Sequence, residues 1–138
     1  MNHKKRPILV CLDLEAGAEE LALYAAEYAR QSGQPLHVLH VIPQSSSEEE
    51  GAAHERLKGF ADKTLAGVKI EALVVQRGVI EEQIVNYVGG KNLDIVILGH
   101  RHKARRERVY VGSTVSTVIS LAPGPIIVVP IDSKGEAL

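Results

Sequence analysis

The stretch DIVILGHRHKARRERVYVGST, Asp94 to Thr114, joins the end of an apolar run, a strongly basic segment and a Gly-Ser-Thr triplet. The run DIVILG (94–99) has the length and β-branched character of a strand buried on both faces. After the triplet, Val115, Val118, Ile119 and Ala122 recur at helical spacing until Pro123-Gly124-Pro125 stops them. Strand, polar loop and helix in that order form the repeating unit of a parallel sheet, in which a helix commonly supplies the crossover between strands.

The same unit repeats on the N-terminal side. ILVCL (8–12), LHVLHVI (36–42) and, after the last helix, IIVVPI (126–131) also read as strands buried on both faces. KIEALVV (69–75) alternates in part and reads as lying nearer an edge. Leu21, Tyr24, Ala25, Tyr28 and Ala29 form a helical stripe behind the acidic Glu19 and Glu20, and Gly33 with Pro35 ends it. Ile80, Ile84, Tyr87 and Val88 make a second stripe, closed by Gly89-Gly90. Ala53, Leu57, Phe60, Ala61 and Leu65 support a helix within 48–65, after a polar loop, PQSSSEEEG, that reads as the most mobile part of the chain. Strands alternating with helices give an α/β fold, a doubly wound parallel sheet of five strands with helices on both faces. Ligands of such sheets sit beyond the carboxyl ends of the strands, where the strand order reverses. Those ends are expected at Leu12-Asp13, Val41-Ile42, Val75-Gln76 and Leu98-Gly99.

With 138 residues the chain reads as one domain (1–138, core 6–132, short tails) able to bury a core without disulfide or metal staples. Its 45% hydrophobic and 24% charged residues describe a soluble protein, and no apolar run approaches the roughly 20 residues of a membrane span. The positive N-terminus precedes an apolar stretch too short for a signal peptide. A single cysteine, Cys11, inside the first strand excludes an internal disulfide framework, fits a cytoplasmic location and reads as a buried structural thiol. Net charge is −1, but HRHKARRER (100–108) sets five Lys/Arg against one Glu, a local +4 that leaves −5 for the remainder.

That concentration of charge falls between Gly99 and Gly112. Glycines there permit turning and close backbone approach, and Ser113 and Thr114 stand where an N-capping hydroxyl would. The first amides of the following helix, with its dipole, suit a phosphate or another anion. Arg101, Lys103, Arg105, Arg106 and Arg108 add mobile cations.

On these residues the chain resembles the universal stress protein family, whose nucleotide-binding members carry G-x2-G-x9-G-[ST] at this place. Gly99, position 102 and Gly112-Ser113 match the spacing, with His102 in place of the second glycine. ILVCLD, VLHVIP, DIVILGHR and APGPIIVVP are similar to the family's first, second, fourth and last strands. The resemblance implies strand order 3-2-1-4-5 and a homodimer through the last strand, 126–131. It implies binding of ATP, or AMP or ADP, with any Mg²⁺ carried by the phosphates. Carried over residue by residue, it sets Asp13 beside the adenine or ribose and Val41 against the adenine. Leu98 belongs to the same strand end, and Gly99, Gly112, Ser113 and Thr114 surround the phosphates; Arg101 and His102 of the basic run are counted with them as candidate binding residues. After Asp13 the chain reads LEAGAEE, without the family's usual small polar turn. Asp13 is then either a ligand contact or a turn or capping residue. His102 either obstructs the phosphates or donates to them; if the position needs positive φ, its β-carbon costs about 1 kcal/mol.

Other chemistries find less support. His100 and His102 form a close pair without a neighbouring Cys or carboxylate cluster, so no metal site is expected. His37 and His40, three apart on a strand, face opposite sides and read as packed or hydrogen-bonded residues. The phosphate loop G-x-x-x-x-G-K-[ST], the fingerprint G-x-G-x-x-G after strand one and the elbow G-x-S-x-G are all absent, and no catalytic base stands out. Aromatic content of 4% and slight overall acidity argue against nucleic acid. The reading is an adenine-nucleotide-binding stress-response module. The alternatives are a family member that works through dimerisation and protein contacts alone, and a slow ATPase.

Overall fold

The computed structural model describes residues 5–102 and 113–132. Among the described residues nine elements alternate: β1 (Ile8–Cys11), α1 (Ala18–Ser32), β2 (Leu36–Ile42), α2 (Glu50–Thr64), β3 (Ile70–Arg77), α3 (Ile80–Gly90), β4 (Ile95–His102), α4 (Ser113–Leu121) and β5 (Ile126–Asp132). The strands form one parallel sheet in the order β3-β2-β1-β4-β5, as expected.

The period of two along each strand separates two cores. Ile8 and Val10 of β1, Leu36 and Val38 of β2 and Ile97 of β4 face α1 and α2. Leu9, Leu39, Val41, Val96 and Leu98 face α3 and α4. Helix α1 approaches the sheet on an alanine stripe, Ala22, Ala25, Ala26 and Ala29, all buried. Small side chains there let the helix backbone lie close to the strands. The helix stops at Gly33, whose φ of 73° turns the chain so that its N–H reaches the carbonyl of Ala29 at 2.9 Å.

Two strands, β4 and β5, differ from the sequence reading in ways that bear on the site. β4 does not end at Gly99 but continues to His102, because β5 pairs with it through Arg101↔Ile131 and His102↔Asp132. The first residues of the basic run are therefore strand. β5 takes the edge position that the expected strand order gives it, but it was read as buried on both faces, whereas Ile126 to Val129 are partly exposed. An apolar run records that a strand is covered but not which face or edge is covered within one chain.

The two buried histidines of β2 lie on opposite faces and are hydrogen-bonded, as expected. His37 bridges Tyr87 Oη, 2.7 Å from its Nδ1, and Glu71 Oε2, 2.8 Å from its Nε2. Burial, with the neighbouring Cys11 and Glu71, pushes the Tyr87 phenol up, so it stays protonated. His40 lies 2.7 Å from the carbonyl of Leu12 through Nδ1. A carbonyl only accepts, so the proton resides on Nδ1, and Nε2 is left to accept from Arg56 at 3.4 Å. Through this pair β2 fixes the chain just where β1 ends.

Candidate functional site

The strand order reverses between β1 and β4: β2 and β3 extend from one side of β1, β4 and β5 from the other. At such a point consecutive crossovers leave on opposite faces, and a crevice opens at the carboxyl ends. A cleft of about 180 Å³ lies there. Its floor and walls are Cys11, Leu12, Leu39, Val41, Ile84, Leu98 and Val115, mostly apolar. Asp13, Ile80, Gly99, Arg101 and Thr114 complete its lining.

Each position follows from local structure. Val41 and Leu98 point to the α3/α4 side because they sit in phase with Leu39 and Val96 on their strands. Gly99, one residue on, is out of phase. A β-carbon on it would lie 2.2 Å from Ile131 Cδ1 and 3.1 Å from Leu21 Cδ2. Its missing side chain thus serves the packing of α1 and β5, while its backbone lines the cleft.

Asp13 leaves β1 at the head of an Asx turn, its Oδ1 accepting the N–H of Glu15 at 3.0 Å. The next residue, Leu14, adopts φ 62°, so the chain turns sharply back toward α1. Arg101, at the far end of β4, reaches across to this turn. Its Nη2 donates to Asp13 Oδ1 at 2.9 Å, its Nη1 donates to Oδ2, and Nε and Nη2 both donate to the carbonyl of Ala16 at 3.0 and 2.7 Å. The guanidinium expected as a mobile cation is held at the rim by a carboxylate and a main-chain acceptor, and it ties β4 to the β1–α1 turn.

At the opposite side of the cleft α4 begins at Ser113, two residues before the expected start, so Thr114 lies inside its first turn. The Thr114 hydroxyl donates to Glu81 Oε1 at 3.0 Å, in the first turn of α3. His102 has extended backbone in register with Asp132, and Leu14 is the one non-glycine with positive φ among the described residues. The β-carbon cost weighed for His102 therefore does not arise. Gly112, with Lys103, Arg105, Arg106 and Arg108, lies outside the described residues.

Cys11 sits at the base of the cleft, where burial pushes its thiol up to about 12. It is neutral at physiological pH and acts as a small apolar lining group. Among the described residues no group of three or more His, Cys, Asp or Glu converges to hold a metal ion.

The structure thus brings Asp13, Val41, Leu98, Gly99, Arg101 and Thr114 to one cleft. The sequence reading missed Cys11, Leu39, Ile80, Ile84 and Val115 as lining residues. Two signals were available: Leu39 shares a face with Val41 by the strand period, and Ile80 and Ile84 stack one helical turn apart. Glu81 carried no such signal, since its partner Thr114 is 33 residues away.

Comparison with known proteins extends over nearly the whole chain. The model of the universal stress protein family matches residues 5–130. A universal stress protein of Methanocaldococcus jannaschii is 30% identical, the match covering 83% of this chain and 66% of that protein. One of Mycolicibacterium smegmatis is 27% identical over 92% of this chain and 49% of its own length. The chain therefore spans about two thirds and about half of the length of these relatives. Among solved structures, the universal stress protein from Archaeoglobus fulgidus in complex with dAMP is 26% identical, with a TM-score of 0.67 over 91% of this chain and 98% of that one. With the family model covering all five strands but the last residues of β5, and with the expected strand order in place, this chain belongs to the universal stress protein family.

Proposed function

We propose that the chain binds an adenine nucleotide, ATP foremost, in the cleft between β1 and β4, and acts as a cytoplasmic, homodimeric stress-signalling module, not as a dedicated enzyme. The observation that carries this reading is the cleft itself, an apolar slot at the switch point with the start of α4 at its rim. A planar base fits such a slot between Val41 and Leu98. Pockets that enclose a whole ligand typically measure roughly 300–1,000 Å³. At about 180 Å³ this one suits a base, with ribose and phosphates lying across its mouth.

Asp13 retains acceptor capacity for a ribose hydroxyl, because a carboxylate has about four acceptor positions and three are used by Arg101 and the Glu15 N–H. Phosphates would meet the backbone at Gly99, Gly112 and Ser113, the amide of Thr114 and the cations of 100–108. A divalent cation would travel with the phosphates. Neutralising those cations would change the surface offered to a partner protein, and β5, partly exposed and apolar, is the strand through which two copies would pair. The dAMP complex of a protein 26% identical adds support for the ligand class.

A second reading, a family member without nucleotide, draws on one observation, the hold of Arg101 on Asp13. A thermal-shift titration of the full chain with ATP and Mg²⁺ separates the two. Binding predicts saturable stabilisation, about 2.7 kcal/mol at a ligand concentration of 100 Kd. A flat response up to millimolar ATP would overturn the proposal.

A further inference from the structure

Glu81 is not among the residues that the family resemblance assigns to nucleotide, yet through Thr114 it borders the end of the cleft where phosphates would arrive. It lies in the first turn of α3 beside Ile80, which lines the cleft. Its Oε1 accepts the hydroxyl of Thr114 at 3.0 Å, and Thr114 belongs both to the cleft lining and to the first turn of α4. A hydroxyl at a helix start would ordinarily be free to donate to an anion. Here it is turned to a carboxylate, which brings negative charge to the end of the site where the helix dipole attracts it. We propose that Glu81 is a specificity-determining residue that sets the preference of the cleft for phosphate-chain length and for a divalent cation.

The inference rests on nucleotide binding in this cleft and deepens it. Repulsion by one fixed carboxylate grows with the charge of the phosphate chain, so a free triphosphate is disfavoured more than a monophosphate. A divalent cation carried by the phosphates lowers that repulsion, and its open coordination positions accept a carboxylate oxygen. Glu81 thereby converts what would be a cation-indifferent site into one that takes ATP as its Mg²⁺ complex and AMP without metal.

The test is calorimetric titration of the full chain with AMP and with ATP, each in Mg²⁺ and in EDTA, for the natural sequence, Glu81→Gln and Glu82→Gln. Glutamine keeps the acceptor for Thr114 and removes the charge. Glu82 is its exposed neighbour in the same turn and controls for a general field effect. The expected result for Glu81→Gln is a gain on the order of tenfold in affinity for ATP in EDTA, a smaller change for AMP, and a reduced Mg²⁺ effect on ATP. Glu82→Gln should leave the ratio of ATP to AMP affinity near that of the natural chain. If AMP binds and Glu81→Gln leaves that ratio and the Mg²⁺ effect unchanged, or if Glu82→Gln has the same effect, the inference about Glu81 is wrong while the cleft reading stands. If neither nucleotide binds the natural chain, both fail together.

Discussion

Gly99 illustrates how one residue can serve two faces of a sheet. Its backbone borders the cleft, but the absence of a side chain answers Ile131 and Leu21 on the other face. Gly99→Ala would force a methyl to within 2.2 Å of Ile131 Cδ1, closer than packing allows. The expected outcome is a loss of about 1–3 kcal/mol in urea unfolding, the usual cost of overpacking. Gly99→Ala with Ile131→Val should recover part of it. An unchanged unfolding midpoint for the single variant would contradict this packing role. In the sequence this glycine looked like a turn before a ligand loop, and nothing local distinguished that from a strand residue crossed by a distant isoleucine. Asp13 and Arg101 show the same limit: each was legible as a site residue, but their pairing joins positions 88 apart.

Among elements, the loop between β2 and α2 departs furthest from its reading as a mobile segment. Arg77, the last residue of β3, spans it from beneath. Its Nη1 donates to the carbonyl of Ser46 at 2.7 Å, its Nη2 to that of Glu48, and its Nε to Glu50 Oε1 at 2.6 Å. Arg56 of α2 closes the other side with two bonds to Glu48 at 2.9 and 3.0 Å, and Arg56 holds the Glu48 carboxyl below the usual carboxylate range. Composition flagged the serines and glutamates as a solvated run, whereas the restraint comes from an arginine on the neighbouring strand. Arg77→Ala should lower stability by about 1–2 kcal/mol and raise hydrogen exchange selectively at residues 44–49. Exchange that rises equally in α2 and β3 would mean the arginine supports the whole edge and not the loop.

For the molecule as a whole, alternating strand and helix patterns were enough to give an α/β parallel sheet, because burial on both faces leaves short continuous apolar runs and the helical stripes between them supply the crossovers. Strand order, and with it the edge position of β5, was implied by the family resemblance; the apolar run alone did not show it, since an edge strand can stay apolar. The site was legible as a place, the switch point at the carboxyl ends, and its apolar walls follow from the strand period once that place is known. Its charge pattern was less legible. The basic run dominated the sequence, while the described part of the site has the carboxylate of Asp13 in its lining and that of Glu81 behind Thr114, each turned to a partner on another element.

The central claim is that an adenine nucleotide occupies this cleft, with its base between β2 and β4 and its phosphates toward α4. The most direct measurement is a ¹⁵N chemical-shift titration of the full chain with AMP. The account predicts saturable shifts concentrated at the amides of Asp13, Val41, Leu98, Gly99 and Thr114, with the residues around Asn92 and Gly124 at the other end of the sheet unmoved. Shifts confined to that other end, or none at saturating AMP, would contradict it.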